Sequence, residues 1–199
     1  GEQAFQRGVQ SYMAAHAWGN ASTDDLLDAL SQSAGRDVKA PFSSFLTQVG
    51  VPQITAEVAC AEGRAELRLS QTRHLPIGSS GSRQELWQVP VCARYENASG
   101  VHESCVLLDA REGVMPLQGE GCPRWVFPNA AAAGYYRFAL ASKELESLLQ
   151  AKTYAKLSSR ERFAFAQALL AGFDSGSVAG ADVLAALPTF AKDEVRVIA

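Results

Sequence analysis

The side chains here that could do chemistry are His16, His74 and His102, Cys60, Cys92, Cys105 and Cys122, and a scatter of carboxylates. Zinc hydrolysis from a helix needs two histidines four residues apart with a glutamate beside the first. The one His-Glu pair is His102-Glu103, and Val106 stands where the second histidine would be. The alternation around it also predicts a strand, which sends neighbouring side chains to opposite faces. The cysteines are spaced by 32, 13 and 17 residues, so no close pair suggests a zinc knuckle or a redox dithiol. Asp24, Asp25 and Asp28 fall at a helix start, where the macrodipole already favours acids. Gly78-Ser79-Ser80-Gly81 reads as a flexible loop, and no glycine-rich phosphate loop or nucleophile elbow precedes a helix. Trp18, Trp87, Trp125, Tyr135, Tyr136 and Phe138 read as core aromatics. Asn20-Ala-Ser and Asn97-Ala-Ser match glycosylation acceptors. No catalytic, cofactor-binding or metal-binding residue is assigned.

The elements that position these residues follow three periods. Residues 1–50 read as helical. Phe5, Val9, Tyr12, Met13 and His16 recur at helical spacing. Ser22 and Asp25 form a capping box before Leu26, Leu27 and Leu30, with Gly35 as the stop, and Pro41 opens a short helix carrying Phe42, Phe45, Leu46 and Val49. Residues 51–141 alternate with period two. A hairpin about Glu62-Gly63 sets Val58 opposite Leu67, Ala56 opposite Leu69, and Glu57 opposite Arg68. A second, about Asn97–Gly100, sets Val91 opposite Val106, Arg94 opposite Glu103, and Cys92 opposite Cys105, within reach of a disulfide. Cys60–Cys122 follows only by elimination. Further strands are expected at Val114–Leu117, Trp125–Phe127 and Tyr135–Leu140. Residues 142–199 return to helix. Ser158 and Glu161 form a capping box before an apolar face of Phe163, Ala166, Leu169, Leu170 and Phe173. A stripe of Val183, Leu184 and Leu187 is stopped by Pro188, and Asp193–Ala199 begins another helix. The expectation is an α+β chain: a helical N-terminal segment, an antiparallel β-sandwich, and a helical C-terminal segment.

Composition narrows the partners. With 18 basic and 21 acidic residues in 199, the formal net charge is −3, which leaves no footprint for nucleic acid. No run is long enough to span a membrane. The four cysteines lean the expectation toward a secreted, periplasmic or cell-envelope protein. Gly1 is no natural initiator, and the unfinished last helix suggests a piece of something longer.

Six short stretches, in order, resemble the aminopeptidase N family of zinc metallo-aminopeptidases. Phe5–Met13 resembles the helix after that family's active-site region. Asn20-Ala-Ser-Thr-Asp-Asp-Leu-Leu-Asp-Ala-Leu30 resembles its N-A-x-x-x-D-L-W-x-A-L stretch, with Leu27 for tryptophan. Gly50-Val51-Pro52-Gln53-Ile54 resembles G-(Y/F)-P-x-(I/V), and Leu69-Ser70-Gln71-Thr72-Arg73-His74 resembles L-(S/T)-Q-x-R-F. Trp87-Gln88-Val89-Pro90 resembles W-x-(I/V)-P, and Asn129 through Gly134-Tyr135-Tyr136-Arg137 resembles N-x-x-x-x-G-(F/Y)-Y-R-V.

The resemblance implies that 1–50 ends a thermolysin-like catalytic domain, 51–141 is a β-sandwich domain, and 142–199 begins an all-helical domain. It implies zinc and peptide substrates for the parent protein and, for this segment, structural support alongside the catalytic domain of its own polypeptide. The family's His-Glu-x-x-His, its downstream glutamate, its Gly-x-Met-Glu-Asn strand and its transition-state tyrosine have no counterpart here, so the segment alone is expected to be inactive. The competing readings are a scaffold from a homologue with a broken zinc site, and a free-standing sandwich that binds carbohydrate or peptide.

Overall fold

The computed structural model describes residues 1–61 and 63–198. The chain divides into two compact units, Gly1–Val49 and Gly50–Ala199.

The first unit holds α1 (Glu2–Ala15), α2 (Thr23–Ala34) and α3 (Lys39–Leu46). The expected capping box is present: Ser22 Oγ accepts from Asp25 N–H, and the Asp25 carboxylate accepts from Ser22 N–H at 2.7 Å. Gly35 closes α2 in the left-handed region at φ 65°. Helix α3 begins two residues before Pro41, which therefore sits in the first turn, where its missing N–H costs nothing. Close approach of α1 to α2 depends on Gly8, where a Cβ would lie 2.8 Å from Leu30 Cδ2 and 3.1 Å from Leu30 Cα. Leu27 and Leu30 are buried, whereas Phe5 (61% exposed), Met13 (62%), Phe42 (47%) and Leu46 (58%) face outward.

In the second unit, β1 (Pro52–Ala61), β2 (Arg64–Arg73), β5 (Glu112–Pro116) and β7 (Arg137–Leu140) form a sheet of order β5-β2-β1-β7. Strands β3 (Val89–Asn97), β4 (Gly100–Leu108) and β6 (Trp125–Phe127) form one of order β4-β3-β6. Both expected hairpin registers are present, including Val58 opposite Leu67 and Cys92 opposite Cys105. Ile54, Ala56, Leu67 and Leu69 from one sheet and Val89, Val91, Ala93 and Tyr95 from the other are buried, and Phe127 meets Phe138 edge-on at 5.3 Å. Cys92–Cys105 is a disulfide with Cα atoms 4.1 Å apart. Cys60–Cys122, Cα atoms 5.9 Å apart, joins β1 to the segment before β6.

Several expectations need correction. The sandwich is not wholly antiparallel: β7 pairs with β1 in parallel, since alternation marks a strand but carries no direction. Tyr135 precedes its strand, and it and Trp18 are exposed, not core aromatics. Arg68 faces Glu57 in register, yet its ion pair is with Glu66 at 3.2 Å.

Helices α4 (Ser142–Leu149), α5 (Ala151–Tyr154), α6 (Ser159–Ser175) and α7 (Gly180–Phe190) complete the unit. Helix α6 buries Glu161, Phe165, Ala168, Leu169, Ala171 and Gly172, leaving Phe163, Leu170 and Phe173 of the expected face exposed. It is apolar on two sides, and its small residues permit the closer packing. Pro188 lies within α7, which continues two residues to Phe190 because Ala191 N–H still reaches Leu187 O at 2.9 Å. Residues 193–198 form turns, not a helix. Asp193 accepts Val195 N–H at 2.8 Å, a local bond that competes with helical pairing. Position 199 lies outside the described residues.

Candidate functional site

Among the described residues, the three histidines, the four cysteines and Asp24, Asp25 and Asp28 each meet a structural partner. His16 caps the end of α1, with its ring against Tyr12. His74 Nδ1 lies 2.9 Å from Gln53 Oε1, and burial, with the Arg137 charge, pushes its pKa below the usual range. His102 Nε2 lies 2.9 Å from Ser99 Oγ. Asp24 and Asp28 pair with Lys39 at 3.1 and 3.3 Å. Asn97 is buried, its Nδ2–H donating to Gln118 O at 2.8 Å, whereas Asn20 is exposed.

Among the described residues, one trio of metal-capable side chains comes within reach: Cys92, Glu103 and Cys105. Both sulfurs are consumed in the disulfide. A catalytic zinc takes three protein ligands and keeps one open position, and a coordinating cysteine binds as its thiolate. This trio therefore does not fit a catalytic zinc.

What the fold does assemble is a set of buried polar junctions, and four of the family-like stretches supply them. Gln71, buried on β2, donates from Nε2 to Trp87 O (2.8 Å), Leu108 O (3.3 Å) and Ala110 O (2.9 Å), and its Oε1 accepts Trp87 N–H at 2.9 Å. One amide thus ties the first sheet to the segment that enters β3 and to the end of β4. Gln53 joins His74 to Ser177, past the end of α6, through Nε2–H to Oγ at 2.8 Å. Asn129 brackets Gly134, accepting its N–H at 2.8 Å and donating to its carbonyl at 3.1 Å. Tyr136 O–H donates to Pro128 O at 2.6 Å. At Gly50, φ 109°, a Cβ would lie 2.6 Å from Arg73 Nε, so only glycine lets the chain enter β1 over that side chain.

The most connected junction was not legible beforehand. Glu161, 2% exposed, accepts Arg94 Nε–H at 2.9 Å, a second bond from Arg94 Nη2, Ala131 N–H at 3.1 Å and Ser158 N–H at 2.8 Å. Arg94 also donates to Lys156 O at 3.0 Å and lies over the Trp125 ring, while Trp125 Nε1–H donates to Glu96 at 2.6 Å. Burial raises the cost of charging Glu161, yet the Arg94, Ser158 and Ala131 bonds outweigh it and hold the carboxyl below the usual range. Ala131 and Ala132 both adopt positive φ, 54° and 53°, in the short turn that Glu161 grips. The capping box was the available signal; the sequence offered no reason to connect it with Arg94, 67 residues away.

The chain is 24% identical over 197 residues to the puromycin-sensitive aminopeptidase of Caenorhabditis elegans, covering 99% of this chain and 21% of that protein. It is 29% identical over 198 residues to aminopeptidase N of Lactococcus lactis, covering 98% and 22%. Aminopeptidase M1 of Arabidopsis thaliana is 30% identical over 179 residues, 82% of this chain and 19% of the relative. The chain belongs to the aminopeptidase N family. The chain thus spans about a fifth of the length of these curated relatives. No family model matches the chain.

Proposed function

We propose that this aminopeptidase N family chain is a non-catalytic segment of a zinc-dependent enzyme that removes N-terminal residues from peptides. In this reading residues 1–50 end the catalytic domain, 51–141 are the linking sandwich, and 142–199 begin a helical domain. The zinc and its ligands belong to the remainder of the parent polypeptide. Both disulfides support a parent that matures in an oxidising compartment, so we place it outside the cytosol.

The observation that carries the support role is the exposure of large apolar side chains in the first unit, Phe5 and Met13 on α1 and Phe42 and Leu46 on α3. Large exposed apolar patches mark contact surfaces. The remainder of a catalytic domain is the partner that the family provides.

The test uses this chain and the full reading frame that contains it. Phe5→Asp and Phe42→Asp are expected to leave the melting of this chain nearly unchanged, within about 0.5 kcal/mol as for other surface changes. In the full-length protein they are expected to lower its stability markedly and reduce hydrolysis of an aminoacyl anilide. No effect in the full-length protein would refute the buried-face reading. Hydrolysis by this chain alone would refute its non-catalytic role, and a full reading frame with broken zinc ligands would refute the peptidase assignment in favour of a scaffold.

A further inference from the structure

A groove of about 410 Å³ runs between β7, the turn at Ala130–Ala132 and the N-terminal half of α6. Arg137 on β7 and Arg160 on α6 both line it, with Tyr135, Phe138, Phe163 and Gln167 among its walls. No carboxylate lines it, and neither arginine has an ion-pair partner among the described residues, although the chain carries a net charge of −3. Arg73, Arg94 and Arg162, by comparison, each meet an acid within 3.4 Å; what sets Arg137 and Arg160 apart is that both line one groove.

Two unpaired guanidiniums present forked donors suited to carboxylates. Aromatic and aliphatic walls suit side chains or peptide backbone, and the volume lies in the range of ligand clefts, far above what one small anion fills. The turn that forms one rim is held in its left-handed conformation by the Glu161 bond to Ala131 N–H, so the groove is set before any ligand arrives.

We propose that this groove is a binding site for an extended peptide segment bearing acidic side chains, with Arg137 and Arg160 taking the carboxylates and Phe163 and Tyr135 flanking the apolar residues between them. The proposal stands on this groove alone and does not depend on the aminopeptidase reading.

The experiment titrates this chain into a fluorescein-labelled, C-terminally amidated peptide of alternating Glu and Leu, read by anisotropy at low salt. Saturable binding is expected, at least tenfold weaker for the same peptide with Gln in place of Glu. Arg160→Gln and Arg137→Gln are each expected to weaken binding about tenfold or more without lowering the melting temperature, because neither side chain holds an ion pair. Lys152→Gln, an exposed cation on α5, is the control and is expected to change nothing. Should Arg137→Gln fail to fold, Arg160→Gln alone decides, since that side chain is exposed. Equal binding of the Glu and Gln peptides, or unchanged binding by both arginine variants, overturns the proposal. Full displacement by inorganic phosphate at matched ionic strength also overturns it, since the site would then read an isolated anion. Binding to this chain that disappears in the full-length protein overturns it too, and makes the face an internal contact of the polypeptide.

Discussion

Replacing Glu161 by alanine is the sharpest perturbation of this fold. The carboxylate receives four hydrogen bonds from two other elements and from its own helix cap. Removing it leaves the Arg94 guanidinium, 22% exposed at its side chain, without its counter-charge, and strips Ala131 N–H and Ser158 N–H of their acceptor. Breaking one side of a buried pair costs about 3–5 kcal/mol, and the lost cap adds about 1 kcal/mol. For a chain of this size each kcal/mol moves the midpoint by about 2–4 °C, so Glu161→Ala should lower it by on the order of 10 °C. Urea and thermal unfolding of Glu161→Ala, Glu161→Gln, Arg94→Met and Arg94→Met/Glu161→Leu make the assay. Glu161→Gln keeps the shape and loses the charge, so it should fall between wild type and alanine. The double variant should cost less than the sum of the two singles, because neither charge is then left unpaired. A loss below about 1 kcal/mol for Glu161→Ala, or strictly additive singles, would refute the account of this junction as a buried, coupled pair.

Gly8→Ala should destabilise the first unit by about 1–2 kcal/mol despite alanine's better helix propensity, because the new methyl meets Leu30; helical circular dichroism during unfolding checks it. Gln71→Leu should cost about 2–4 kcal/mol by stranding Trp87 N–H and the carbonyls Gln71 joins, and denaturant midpoints measure that loss. Removing the Cys60–Cys122 bridge, which spans 62 residues, should cost about 4 kcal/mol, against about 3 kcal/mol for Cys92–Cys105, which spans 13; paired serine variants under denaturant rank them. Alkylation trapping of free thiols in fresh cells should find all four cysteines protected. Stability should fall as pH drops below 6.5, since the unfolded chain then binds a proton at His74 that the folded one resists. It should fall again as pH drops below 4.5 and through the lowered folded pKa of Glu161, which the unfolded chain protonates first; unfolding across pH 3–8, with Glu161→Gln lacking the acid step, checks both.

Local patterns determined much of this architecture. The capping boxes at Ser22–Asp25 and Ser158–Glu161 are bonds between residues three apart, and both formed as read. The hairpin registers were equally legible, because a period-two pattern about a tight turn leaves one alignment that keeps Val58, Leu67, Val91 and Val106 in step; that alignment brings Cys92 to Cys105. Choices between chemically equal partners had to wait for the tertiary structure. Arg94 faces Glu103 across the hairpin, yet its ion pair forms with Glu161, where burial weakens screening and two further donors, Ala131 N–H and Ser158 N–H, complete the carboxylate. The buried side of α6 was undecidable from periodicity, since Phe163, Leu170 and Phe173 are as apolar as the residues that pack. The parallel placement of β7 beside β1 was equally invisible, because strand direction comes from the path of the chain and not from its side chains. The Arg137–Arg160 groove belongs with these: two unremarkable arginines, 23 positions apart, become a feature only where α6 lies against β7. Contacts between near neighbours are set by covalent geometry, whereas distant ones depend on which of several similar surfaces the whole core buries.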